Sequence, residues 1–542
     1  MKRSGRELLM LTVSNLSLQF ADRRLFHRVN IKFVPGNCYG IIGANGAGKS
    51  TFLRILSGDL EPSSGEVSMS KGQRMSVLGQ DHYAFDAYTV LETVILGNPR
   101  LYQIEREKDE LYTKPDFSDE DGERAAALEG EFADLGGWTM EADAATLLNS
   151  LGLPEELHNK KMSALAGREK VKVILAQALF GTPDVLILDE PTNDLDIAAI
   201  AWFEEFLINY EGVVIVVSHD RHFLNNVCTY IADVDYGRIK VYTGNYDFWY
   251  QSSQLAAQMM KDQNKKKEEQ RKALQTFIER FSANASKSRQ ATSRKKLLEK
   301  ISLDEIEPSN RRYPFITFQK NRDVGNEILR VDGLSKSIDG VKVFDGVSFT
   351  VDKGDKIAFI GDENAISALF EVLAGESEAD EGEARWGITI TASYFPKDNT
   401  AFFPKEKSLN ILDWLRQFSL EDTTDTYMRG FLGKMLFSGD EVFKSSAVLS
   451  GGEKVRCMLA RMMLKEANVL LMDQPTNHLD LETITALNNG MSDFNSNILF
   501  TSHDHELISS VANRVIELQP DGMVDFRGTY DQYLERKLGI QA

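Results

Sequence analysis

Two stretches of this chain repeat one another: LTVSNLSLQFADRRLF at residues 11–26 and LRVDGLSKSIDGVKVF at residues 329–344. The register persists far beyond them. Leu11 and Gly43 stand 32 positions apart, as do Leu329 and Gly361. LDEPTNDLD (188–196) pairs with MDQPTNHLD (472–480), and VSHD (217–220) with TSHD (501–504). From Glu190 to His219 is 29 positions, and from Gln474 to His503 is 29 again. A chain of 542 residues exceeds a single core. Apolar runs such as CYGII and VLIL, each leading into a helical pattern, predict two copies of one α/β domain. The expected division is a first domain over residues 1–245, a helical linker over 246–325 and a second domain over 326–542.

The copies differ in informative places. Gln80 to Gly167 spans 87 positions, whereas Lys397 to Gly451 spans 54. The surplus falls on RLYQIEREKDELYTKPDFSDEDGERAAALEGEFADL (100–135), whose charge-rich pattern predicts an exposed helical hairpin within an arm over about 97–140. Between the copies, QLAAQMMKDQNKKKEEQRKALQTFIERF reads as one long helix. SANASKSRQATSR interrupts it, and KKLLEKISL resumes a helical pattern. No acidic residue stands between Phe281 and Leu298. A hairpin with a basic tip, about 281–296, follows. The net charge of −19 argues against wholesale coating of nucleic acid, so any such contact falls to a local basic element of this kind. No apolar run reaches the roughly 18 residues of a membrane span, and the N-terminus lacks the pattern of a signal peptide. Cys38, Cys228 and Cys457 are far apart in sequence and match no metal spacing, which suits a reducing cytoplasm.

GANGAGKST, Gly43 to Thr51, follows an apolar strand and opens a helix. Its glycines let backbone N–H groups turn toward phosphates, and the helix N-terminus adds favourable potential. Lys49 is expected to reach the β/γ-phosphates of ATP and Ser50 to ligate Mg²⁺. VLIL then delivers Asp189 near the metal, with Glu190 beside it as the base for water.

Together GANGAGKST, LDEPTN, SHD and LSGGEKVR (449–456) resemble the ATP-binding cassette superfamily. Two cassettes with a charged helical linker and no membrane segment resemble its ABC-F subfamily of ribosome-associated ATPases. The resemblance implies two P-loop NTPase cores, each with antiparallel β and helical subdomains. It implies further that they close face to face within a monomer, each ATP lying between one cassette's loop and the other's LSGGE segment. Asn45, Gly46, Ala47 and Gly48 then wrap phosphate along with Gly43, Lys49, Ser50 and Thr51, and Phe20 stacks on adenine. Gln80 senses the γ-phosphate and metal, His219 steadies the transition state and Asp196 couples the sites. Ser450, Gly451 and Gly452 close the site. ATP hydrolysis is the implied reaction.

Scored this way, the defects converge on the other site. Gly361 to Gly375 spans 14 positions where Gly43 to Gly58 spans 15, so one loop residue is lost, and either Ile366 or Ser367 takes the place of Lys49. Asp362 and Glu363 are expected to repel phosphate. Ile338 replaces Phe20, Lys397 replaces Gln80, and Gln474 replaces Glu190. In the facing segment, Ala166 and Arg168 replace Ser450 and Gly452. An amide cannot accept a proton from water, so one hydrolytic and one degenerate site are expected. An engineered trap would stand at Glu190, which favours Gln474 as a native residue. Asp473 and His503 are retained, which leaves open whether nucleotide still lodges there.

The resemblance also implies a place of action: the ribosome, at its tRNA exit (E-site) region. The linker tip, with Lys287, Arg289, Arg294, Lys295 and Lys296, would meet RNA phosphates near P-site tRNA or the peptidyl-transferase region, while the arm touches ribosome near the E site. Relief of stalling and protection against antibiotics are both compatible with that placement; the short tip leans toward the former. A soluble subunit of a transporter and a low-turnover, nucleotide-gated scaffold are the rival readings.

Overall fold

The computed structural model describes residues 11–281 and 311–538, apart from 21–22, 80, 194, 196, 339, 407–408, 420–422, 478 and 520–521. The chain divides into two compact units, one from residues 1–218 and 223–310, the other from 219–222 and 311–542.

In the first unit, β1 (Leu11–Phe20), β2 (Arg23–Phe33) and β4 (Ser64–Met69) form an antiparallel sheet in the order β2-β1-β4. The second sheet contains β3 (Asn37–Ile42), β5 (Met75–Val77), β6 (Val185–Asp189), β7 (Val213–Val217), β8 (Tyr230–Asp235) and β9 (Arg238–Thr243). Its order is β5-β6-β7-β3-β8-β9, parallel except for the antiparallel edge strand β9. VLILD in β6 and VVIVV in β7 are almost unbroken apolar runs because parallel strands bury both faces. Val185, Ile187, Val213 and Ile215 join Tyr39, Ile41 and the inner face of helix Lys49–Leu56 in one core. Burying each such aliphatic side chain contributes about 1.5–3 kcal/mol. That core fixes the loop between β3 and the helix.

The second unit repeats the plan with β10 (Leu329–Ile338), β11 (Val341–Val351), β12 (Lys356–Gly361), β13 (Glu381–Trp386), β14 (Ala392–Phe395), β15 (Val469–Asp473), β16 (Asn497–Thr501), β17 (Arg514–Gln519) and β18 (Gly522–Arg527). Its sheets run β11-β10-β13 and β14-β15-β16-β12-β17-β18. The duplication extends to irregularities. Leu11 faces Phe33 as Leu329 faces Val351, and the register shifts after Val13 and again after Val331. One polar cluster around a buried arginine is particular to this unit. Arg514, 2% exposed, lies 2.7 Å from Asp355 Oδ2 and 2.5 Å from Asp525 Oδ2.

Within residues 97–140 the chain forms two helices, Pro99–Tyr112 and Asp119–Asp134. Ion pairs cross-link them, among them Lys108–Glu129 at 2.9 Å and Arg124–Glu107 at 2.7 Å. The linker begins as a single helix, Tyr246–Phe281, of 36 residues. Trp249, 3% exposed, roots it by donating from Nε1 to Asp233 Oδ2 at 3.1 Å. The tip lies outside the described residues, and with it Lys287, Arg289, Arg294, Lys295 and Lys296.

One expectation needs adjustment. Residues 311–325, assigned above to the linker, pack with the second unit. Ile316 and Phe318 are buried in its core, the Phe318 ring meets Phe494 edge-on, and Asn321 N–H donates to Glu466 O at 2.8 Å. Cys38 and Cys228, distant in sequence, meet as buried free thiols with 3.8 Å between sulfurs. Parallel pairing of β3 with β8 brings them together, and burial pushes the Cys228 thiol up. Among the described residues no helix is long and apolar enough to cross a membrane, and no cluster of three His, Cys, Asp or Glu could hold a metal.

Candidate nucleotide site

In the first unit, β3 ends at Ile42 and the chain enters a loop that only glycine can complete. Gly46 adopts φ 74°, and a Cβ on Gly43 would lie 2.6 Å from the carbonyl oxygen of Val234. The loop ends at Gly48, which caps the helix Lys49–Leu56 in a left-handed conformation. Lys49 is buried, and its ammonium turns back into the loop, donating to Gly43 O at 2.7 Å. A buried cation inside a glycine cradle at a helix N-terminus has the charge and shape to take a triphosphate. Ser50 is exposed in the first helical turn.

Asp189 closes β6, and Glu190 follows it with φ 52°, rare for a residue with a side chain. Its N–H donates to Val217 O at 2.8 Å, so the β6–β7 pairing holds this conformation. Thr192 Oγ1 and Ser218 Oγ, 3.5 Å apart, tie the turn to the end of β7, and His219 comes next in the chain. The sheet thus carries the expected metal ligand Asp189 and base Glu190 at the same strand end. Phe20 ends β1, but its side chain is outside the described residues, as are Gln80 and Asp196.

The second unit keeps the backbone and changes the chemistry. Gln474 takes φ 50° where Glu190 takes 52°, its N–H donates to Thr501 O at 3.1 Å, and Thr476 pairs with Ser502 at 2.9 Å. Gln474 is 3% exposed, and its Oε1 has no hydrogen-bond partner among the described residues. The ambiguity over the shortened loop is resolved. Ser367 Oγ donates to Asp473 Oδ2 at 2.6 Å, which sets Ser367 in the place of Ser50 and Ile366 in that of Lys49. Ile366 is 1% exposed, so an apolar side chain fills the ammonium's position. Burial pushes Asp473 up to about 6, while the Ser367 hydroxyl pulls the other way.

The acidic residues of this loop do not simply face outward. Asp362 caps helix Glu363–Ala374, accepting from Ala365 N–H at 2.9 Å. Glu363 Oε2 accepts from Lys397 Nζ at 2.7 Å, and its Oε1 lies 2.9 Å from His503 Nε2. Sequence reasoning noted Glu363 and Lys397 as separate defects and missed that they pair. The available signal was the opposite charge of two replacements in one site.

Ser450 caps helix Gly451–Leu464. Its N–H donates to Glu453 Oε2 at 2.7 Å, and its hydroxyl accepts from Glu453 N–H at 3.4 Å. Lys444 holds the other Glu453 oxygen at 2.8 Å. Ser450 and Gly451 are exposed at the helix N-terminus, as a segment that receives a phosphate requires. In the first unit, Ala166 provides no hydroxyl at this place. Only the return half of the cap survives there, Ala166 N–H donating to Glu169 Oε2 at 2.8 Å, and Arg168 stands exposed two residues on.

A family model described as ABC transporter matches residues 26–193 and again 344–477, and a second model with that description matches 232–318. The chain is 62% identical over 97% of its length, and 97% of the relative's, to the Uncharacterized ABC transporter ATP-binding protein YkpA of Bacillus subtilis (strain 168). It is 30% identical over 96% of its length, and 94% of the relative's, to the Energy-dependent translational throttle protein EttA of Escherichia coli O6:H1. Among solved structures, RNase-L Inhibitor superposes with a TM-score of 0.62 at 18% identity, covering 97% of this chain and 92% of that one, a likeness of fold.

Proposed function

Because this chain belongs to the ATP-binding cassette family, in its ABC-F subfamily of tandem-cassette ATPases, we propose that it is a translation factor that hydrolyses ATP on the ribosome. The observation that carries this reading is the 36-residue helix rooted in the first cassette, which leads to the basic tip. A transporter subunit has no use for such an element. A relative named for an energy-dependent throttle on translation, alike over 96% of this chain, supports the same choice.

Lys49 and the Gly43–Gly48 amides hold the triphosphate, and Ser50 and Asp189 hold Mg²⁺, which offsets phosphate charge when bound. Glu190 accepts the proton of the attacking water as the oxygen bonds to the γ-phosphorus and ADP leaves. The Ser450 hydroxyl and the Gly451–Gly452 amides of the second cassette cap that phosphate, so ATP favours the paired form by differential affinity and hydrolysis releases it. The second cassette, with Gln474 for the base, does not turn over. The linker tip touches RNA phosphates near P-site tRNA from the tRNA exit region, relieving stalled complexes through salt-sensitive, largely sequence-independent contacts.

Co-sedimentation of the Glu190→Gln chain with ribosomes tests this. Retention with ATP, lost without nucleotide and lost on deleting residues 283–296, is the expected result. Equal sedimentation with and without ATP, or retention after the deletion, would refute it.

A further inference from the structure

We infer that the second cassette admits no nucleotide because Glu363 occupies the terminal-phosphate position from within, its carboxylate clasping Lys397 and His503. This rests on the reading of the first cassette as the ATP site and asks what its degenerate twin does instead.

The geometry starts with the missing loop residue. Opposite Gly48–Lys49, where the first helix begins, the second helix has already run for a turn, starting at Glu363 ahead of Ile366. Amides that would ring a phosphate are therefore wound into the helix, and Asp362 caps that turn with its own carboxylate, 2.9 Å from Ala365 N–H. An anion from solvent finds this helix end already served. Glu363 does the same for the side chains. Lys397 and His503 hold the sequence positions of Gln80 and His219, the residues that read the γ-phosphate in a working cassette. Here they reach the two oxygens of one carboxylate, at 2.7 and 2.9 Å. The Glu363 side chain is 13% exposed, while Lys397 and His503 are 35% and 50% exposed, so the carboxylate is shielded and its two partners still meet water. Charge-assisted contacts of this kind are among the stronger ones.

A triphosphate would have to displace Glu363 and Asp362, or stand beside them with no ammonium at Ile366 to compensate. Asp362, exposed at the helix cap, would add a like charge beside the phosphate and weaken binding further. The internal carboxylate also lasts, where a γ-phosphate is hydrolysed and lost. The second cassette therefore holds its sensor residues in one arrangement throughout the cycle, and the first cassette alone responds to ATP.

Equilibrium dialysis of the full chain against ATPγS and Mg²⁺ tests the stoichiometry. One nucleotide per chain is expected, and none in Lys49→Ala. Two per chain, or one persisting in Lys49→Ala, overturns the inference. None in the wild type refutes the proposed function but agrees with an excluded second site. The role of Glu363 is read separately by hydrogen exchange of residues 363–370. In Glu363→Ala, whose Asp362 cap is intact, exchange should rise about tenfold. An unchanged rate, or protection by ATPγS in the Lys49→Ala chain, overturns the clasp.

Discussion

Asp473→Asn should stabilise the second cassette at neutral pH, although it removes a side chain at the metal-ligand position. Asp473 is 1% exposed at the end of β15, and burial raises its carboxyl to about 6 from an ordinary value near 3.8. A raised value in the folded state means that the native chain holds a proton the unfolded chain has already released. The stabilisation from that proton is complete below about 3.9 and is lost as pH rises through 6. About two pKa units at 1.36 kcal/mol each set the loss at roughly 3 kcal/mol by pH 7.5. Asparagine avoids it and keeps an oxygen to accept from Ser367. The gain should be about 3 kcal/mol at pH 7.5 and shrink to about 1 kcal/mol at pH 4.5. Urea unfolding followed by pulsed hydrogen exchange on β15 and β16 isolates this unit from the first, which two-state analysis of the whole chain would not. A gain equal at both pH values, or a loss at pH 7.5, would refute desolvation as the cause.

Other outcomes follow from the same geometry. Glu190→Gln should lower phosphate release about 10²–10⁴-fold in a steady-state assay, whereas Gln474→Glu should gain nothing. Gly43→Ala should abolish ATP binding in a fluorescent-nucleotide titration, because its Cβ would lie 2.6 Å from Val234 O. Ile366→Lys should destabilise the second cassette by thermal unfolding without adding a second nucleotide, since it buries an ammonium where a side chain 1% exposed now sits. Arg514→Leu should cost about 3 kcal/mol in urea, because it leaves the buried Asp355 without its cation, whereas Asp525, 34% exposed, can turn to water.

Much of this was legible in the sequence because duplication lets one half calibrate the other. The strand-borne loop, the Asp189–Glu190 strand end, the arm and the long linker helix all announced themselves by spacing and period. The shortened loop did not. One missing residue within GDENAISA can be placed in several ways, and only the Ser367–Asp473 bond fixes it. Contacts between distant positions were equally hidden. Nothing local in Cys38 foretells Cys228, and the Glu363 clasp joins residues from three separate segments. Residues 311–325 misled because an extended, polar-flanked stretch resembles a linker until Ile316 and Phe318 find a core.

The helix Tyr246–Phe281 has a mechanical consequence. At 1.5 Å per residue its 36 residues extend about 54 Å from the buried Trp249 end. Treated as a stiff rod, it amplifies: a tilt of only about 10° at the root sweeps the far end through about 9 Å. Sub-ångström rearrangements where phosphate is cleaved can thereby become displacements on the scale of a nucleotide.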